Sequence, residues 1–218
     1  MSSKRVFNIK DMCEIQDILN EHTIFNWKQE LNSNHFITAI IDELAEFLGS
    51  VNWSWWKKPK KLNEWNLKIE AIDILHFSLS ILILRGMHLS FRDYVLCQNS
   101  KGRNYMIDIH GKLDHNVFAS HTVVLLMTNN VYLYQLNDFL DSIGMTAEEV
   151  SALYIAKAEL NFIRQSNGYK TGEYVKVIDG KEDNERLEEI VYSFLNNKLL
   201  SLNDVKRMVQ EEFFTKSV

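Results

Sequence analysis

The chain has 218 residues, 46% of them hydrophobic, and 24 basic against 29 acidic side chains give it a net charge of −5. That length and apolar content support a sizeable core and predict one domain over residues 1–218; the acidic balance leaves no electrostatic footprint for nucleic acid or an anionic membrane. One proline and eight glycines are too few for the turn signal every ~8–12 residues that a sandwich or barrel needs, so the fold class expected is all-α.

Cys13 and Cys97 have neither a CxxC partner nor disulfide-framework spacing, which points to a reducing compartment. The stretch MSSKRVFNIKDMCE has no apolar core of the signal-peptide kind. The longest apolar run, residues 71–84, is broken by Asp73 and His76 and is shorter than the ~18–20 residues that span a bilayer. The expectation is a cytoplasmic protein without a membrane partner.

In chain order, the pattern predicts a first helix over residues 10–21. A second runs from Asn34 as N-cap to Gly49 as stop. VNWSWWKKPKKLNEW, residues 51–65, is a loop rich in Trp and Lys, and a long helix follows over 62–84. Residues 87–115 are the least regular part, and the segment 87–145 is expected to be a more variable subdomain. An apolar helix covers 117–127. Thr146 with Glu149 three residues on forms a capping-box signature that opens a helix to Gln165. A glycine-punctuated loop, SNGYKTGEYVKVIDGKEDN, leads to helices over 184–195 and 201–214.

Two acidic pairs stand out. AIIDELAEFL carries Glu43 and Glu46, and IEAIDILHF carries Glu70 and Asp73. Residues at i and i+3 lie ~60° apart on a helix, so each pair shares a face. Phe36, Ala39, Ile40 and Phe47 fall within about 60° of Glu43. Ile41, Leu44, Ala45 and Leu48 cover most of the remaining circumference, a pattern expected of a helix buried all round. An isolated ExxE pair is commonly a solvated helix edge; these two lie among apolar residues on consecutive helices. Burying an uncompensated carboxylate costs several kcal/mol, and like charges add to that. Neither helix has a Lys or Arg between its acids, so divalent cations are the expected compensation. Mg²⁺ suits hard oxygen ligands and substrate phosphates. Asp73 and His76 have the spacing of half a di-iron site, but that architecture needs two Glu-x-x-His motifs and the chain has none. His76 therefore reads as a core residue or as one supporting the site from behind.

WSWWKKPKK sets three Trp beside four Lys. It reads either as a hydrophobic plug with snorkelling lysines or as a place where a base stacks and phosphate is neutralised. Lys157, Asn161 and Arg164, at i, i+4 and i+7, form one helical stripe, with Lys170, Tyr174, Lys176 and Asn184 after it. The stripe is either a solvated charged face or a clamp for phosphate and sugar.

Taken together, ELAEFLGSVNWSWWKK, KIEAIDILHF and YIAKAELNFIRQSNGYKTGEYVKVIDGKEDN resemble, in the same order, the dimeric dUTPases. These belong to the all-α NTP pyrophosphatase superfamily, together with phage dCTPase/dUTPases and MazG-like enzymes. The likeness runs from about Gln16 to Asn184. It implies hydrolysis of dUTP, and of dUDP, to dUMP, with Mg²⁺ held by Glu43, Glu46, Glu70 and Asp73. By that analogy Glu46 orients and deprotonates the attacking water, with Glu43 beside it. Lys157, Asn161, Arg164, Tyr169, Lys176 and Asn184 match positions for phosphates and deoxyribose. Gln16 and Asn20 match positions for uracil, joined by Trp53 and Lys57 of the loop. A homodimer in which one subunit helps to complete the other's site is also implied. A broader enzyme that also accepts dCTP would differ only in base recognition, and a non-catalytic helical dimer is the reading from another class.

Overall fold

The structure is a computed structural model that describes residues 4–99, 106–108, 110–127 and 132–214. Its elements in chain order are α1 (Ile9–Thr23), α2 (Trp27–Glu30), α3 (Ser33–Ser50), α4 (Glu64–Leu84), α5 (His115–Met127), α6 (Tyr132–Ser142) and α7 (Ala147–Ser166). Strands β1 (Val177–Ile178) and β2 (Lys181–Glu182), then α8 (Asp183–Asn196) and α9 (Leu202–Phe214), complete them. The fold is all-α apart from that hairpin. Among the described residues no helix is long and apolar enough to cross a membrane. The first three residues of the N-terminal stretch and, within 87–145, residues 100–105, 109 and 128–131 lie outside the described residues.

Side-chain caps set where the helices begin. The Asn8 side chain accepts from the Asp11 N–H, and the Asp11 carboxylate accepts from the Asn8 N–H, both at 2.9 Å, which starts α1. Asn32, rather than Asn34, caps α3 by accepting from the Asn34 N–H. The helix then runs through Gly49 to Ser50, so that glycine is not its stop. Thr146 caps α7 as the capping-box signature predicts.

The short α2, α6 and the β1–β2 hairpin depart from expectation. No helix is expected between residues 127 and 146, yet α6 is there with Leu133, Leu136, Phe139 and Leu140 buried at helical spacing. The Asn137 side chain accepts from the Cys97 N–H at 2.8 Å, so its polar face serves the neighbouring chain. Within the expected loop, Asp179 (φ 51°) and Gly180 (φ 77°) turn β1 into β2. Two successive left-handed residues match the right-handed strand twist, and Asp-Gly is well suited to supply them.

α3 and α4 pack antiparallel. Asn66 at the start of α4 donates to Ser50 at the end of α3 (2.8 Å), and Phe36 near the start of α3 lies 6.4 Å from Phe77 of α4. α4 also touches α1, α7 and α8, which is why its apolar run extends round the whole helix. α3 is different: Ile41 is 52% exposed and Ala45 is exposed too, so the all-round burial expected of it is not met in this chain. α7 is buried from Val150 to Leu160 between α1, α4, α8 and α9. Arg5 ties the segment before α1 to this layer, pairing with Glu148 at 3.0 Å and lying 3.9 Å over the Phe194 ring.

Phe139 packs between Phe47 of α3 and His121 of α5. Phe139→Ala is expected to cost about 3–5 kcal/mol in urea denaturation, whereas Asp138→Ala on the exposed face should stay within about 0.5 kcal/mol. Equal, small effects would mean that α6 does not carry core.

Candidate functional site

The antiparallel pairing of α3 and α4 brings the two acidic motifs together. One carboxylate oxygen from each of Glu43, Glu46 and Glu70 lies within 4.8 Å of the others. Their surroundings are graded: Glu70 is buried, Glu43 half-buried and Glu46 exposed. Burial raises the pKa of Glu43 well above the ordinary carboxylate range, and the charges of Asp73 and Glu70 add to it. Glu70 is raised in the same way, first by burial and then by Asp73. Three oxygen donors of this spacing, with Glu43 and Glu70 reluctant to ionise without a nearby positive charge, fit a hard divalent cation.

Asp73, the fourth acid, is compensated differently. Its Oδ2 accepts from Lys157 Nζ at 2.9 Å, and Lys157 is only 2% exposed. The expectation that only cations could neutralise the acids overlooked this lysine, because it arrives from α7 rather than from α3 or α4. Lys157 also donates to Asn184 Oδ1 at 2.8 Å. Asn184 sits in the first turn of α8, not in a loop.

Arg164, one stripe further along α7, is held by a residue that the sequence reading passed over. Asp183 is buried and receives two bonds from the guanidinium, Nε at 2.8 Å and Nη2 at 2.7 Å. Tyr174 donates to the same carboxylate at 3.0 Å. Arg164 holds the Asp183 pKa below its usual value despite burial. The signal available was the second acid in GKEDN, at the start of a helix and following a helix that carries a basic stripe. Arg164 also donates to Asn161 (3.3 Å) and Asn184 (3.2 Å). Its guanidinium and the Lys176 ammonium approach the Tyr169 ring at 5.6 and 5.4 Å. The stripe Lys157, Asn161, Arg164 is thus mostly buried and joined to Tyr169, Lys176 and Asn184, rather than a solvated face.

Beside the acids lies a cavity of about 400 Å³. Gln16 and Asn20 of α1 line it, with Glu43, Asp73 and His76. Asn161, Arg164 and Tyr169 close its other wall, among Leu19, Phe36 and Phe77. Lys170 donates to the Thr23 carbonyl and so fastens the loop after α7 to the end of α1. Trp53 and Lys57 are elsewhere: within one chain they line a separate cavity of about 670 Å³ together with His110 and Lys112. There Trp53 meets Trp56 edge-on at 5.2 Å, and Trp55 is 84% exposed.

A family model described as dUTPase matches residues 8–169, which span α1 to the end of α7 and include Glu43, Glu46, Glu70, Asp73 and every residue named as lining the two cavities. Lys176, Asp183 and Asn184 lie beyond the matched stretch. No curated protein matches the chain.

Arg164→Ala would leave Asp183 buried and unpaired, so about 3–5 kcal/mol of stability should be lost. The double variant Arg164→Ala/Asp183→Ala should lose less than the sum of its singles in denaturant titrations; strict additivity would deny the pair. A second outcome follows from the raised acids. In the folded, cation-free protein Glu43 and Glu70 keep protons that the unfolded chain releases near pH ~4.3. The folded state therefore binds more protons above that pH, and stability falls as pH rises from about 4.5 through neutrality. Thermal melts in chelator should show this slope, and Glu43→Gln should flatten it.

Proposed function

Because the chain belongs to the dUTPase family and is a dUTP diphosphatase, we propose that it cleaves dUTP to dUMP and pyrophosphate, and dUDP to dUMP and phosphate, with Mg²⁺ at Glu43, Glu46, Glu70 and Asp73. The observation that carries this reading is the meeting of three carboxylates from α3 and α4 within 4.8 Å, beside a cavity of nucleoside size. When bound, Mg²⁺ offsets charge on the phosphate chain and on the leaving oxygens and acidifies a water.

The protein's own groups divide the remaining work. Glu46, the most exposed of the three clustered acids, is free to accept a proton from the attacking water. Gln16 and Asn20 hold the base in the cavity, and Asn161 and Tyr169 border the sugar. Lys157, Arg164, Lys176 and Asn184 hold the phosphate chain in line, which is a positional contribution. Lys157 and Arg164 are already fixed by Asp73 and Asp183, so little ordering is left to occur on binding. The exposed face of α3 around Ile41 and Ala45 supports a homodimer, in which Trp53 and Lys57 complete the neighbouring subunit's site. Uracil is thereby kept out of the DNA precursor pool in the cytoplasm.

Pyrophosphate release should be fast with dUTP and Mg²⁺, slow with dCTP and dTTP, and lost in chelator. Glu46→Gln should lower kcat by about 10²–10⁴-fold while melting normally. Near-normal turnover in that variant would place the base elsewhere.

A further inference from the structure

His76 is 3% exposed and belongs to neither the acid cluster nor the phosphate clamp, yet it lines the cavity. Its hydrogen bonds close on themselves. The Ser80 hydroxyl donates to the His76 carbonyl at 3.1 Å, and a carbonyl can only accept. Ser80 Oγ must then accept from Asn20 Nδ2, at 2.9 Å. Asn20 Oδ1 in turn faces Gln16 Nε2, also at 2.9 Å, and accepts from it. Gln16 Oε1 is left facing His76 Nδ1 at 2.7 Å, so that nitrogen carries the proton. Each donor in the ring is fixed by the one before it, beginning and ending on one residue. Tyr154 stacks on the imidazole at 4.5 Å, and its hydroxyl donates to the Met12 carbonyl at 2.7 Å, with Gln16 Oε1 at a longer 3.4 Å.

Two consequences follow for the cavity. Gln16 and Asn20 each use one amide hydrogen in the ring and keep a second. His76 Nε2 is buried without a partner, a bare lone pair once Nδ1 holds the single proton. Burial and the nearby Lys157 ammonium lower the imidazole pKa to about 3, in keeping with a neutral ring. The cavity wall therefore offers two N–H donors, from Gln16 and Asn20. The edge of uracil carries two carbonyls around an N–H, whereas that of cytosine begins with an amino group and has no N3 hydrogen.

We propose that His76 is a positioning residue for base selection: its Nδ1–H, through the closed ring with Ser80, fixes the Gln16 and Asn20 amides as donors and thereby rejects cytosine. The inference rests on the cavity being the base pocket, as proposed above. A freed amide can turn over and present its oxygen to an amino group, so opening the ring should help dCTP as well as harm dUTP.

The test measures kcat and KM for dUTP and dCTP in Ser80→Ala, His76→Phe and His76→Asn, with Gln16→Ala as reference. Ser80 is not among the residues lining the cavity, so its effect has to pass through the ring. Ser80→Ala and His76→Phe should reduce the dUTP/dCTP ratio of kcat/KM by about tenfold or more, with KM for dCTP falling. His76→Asn, which keeps an N–H near the Nδ1 position, should restore much of the preference. General damage to the fold would lower both substrates together. An unchanged ratio in Ser80→Ala and His76→Phe, with Gln16→Ala still losing selectivity, overturns the ring and leaves the base pocket standing. Unchanged selectivity in Gln16→Ala removes the base pocket and the inference with it. Nitrogen-15 NMR of the unmodified protein supplies a check that needs no variant: protonated Nδ1 and bare Nε2 are expected, and the opposite tautomer overturns the proposal.

Discussion

Glu43, Glu46 and Glu70 repel one another, and the antiparallel packing of α3 on α4 nevertheless holds their oxygens within 4.8 Å. Most of the site's organisation answers that constraint. Phe36, Ile40, Leu44 and Phe47 on α3 and the nearly all-apolar α4 supply the packing that keeps the two helices together despite the charges. Lys157 arrives from α7 to neutralise the one acid beside the cluster. Glu43 and Glu70 stay protonated in part, or wait for a cation, because burial makes their ionisation costly.

The compensation is layered. Asp73 pairs with Lys157, Lys157 with Asn184, Asn184 with Arg164, and Arg164 with Asp183. This relay joins the helices that carry the acids to the first turn of α8, beyond the stretch the dUTPase family model matches. The β1–β2 hairpin just before α8 delivers Asp183 and Asn184 to it, with Asp183 N–H bonded to the Lys176 carbonyl at 2.9 Å. The relay is buried where Lys157, Arg164 and Asp183 meet the core, and Lys176 and Tyr169 at its edge are exposed.

The α1 side of the cavity follows different physics. It contains no ion pair among Gln16, Asn20, Ser80 and His76, only neutral groups whose hydrogen-bond directions depend on one another. Ion pairs organise the α7 side of the site, and neutral hydrogen bonds organise the α1 side.

Periodicity and capping chemistry were enough to read most helices, their order and the acidic motifs from the sequence, because those signals are local. The Lys157, Asn161, Arg164 stripe was visible as a stripe but not as a buried one. α6 was missed although Leu133, Leu136 and Phe139 show its period, since its polar face resembles a loop until Asn137 finds Cys97. Asp183 was passed over because a single acid before a helix has no partner in sequence; the partner lies 19 positions away on another helix. By itself the sequence determined the helical class, the acid pairs and the family likeness. Only tertiary packing decided that Lys157 compensates Asp73, that Trp53 and Lys57 border a different cavity within one chain, and that one face of α3 stays exposed. Those outcomes depend on which elements approach in space, and helical spacing along a chain fixes only the face on which a side chain leaves it.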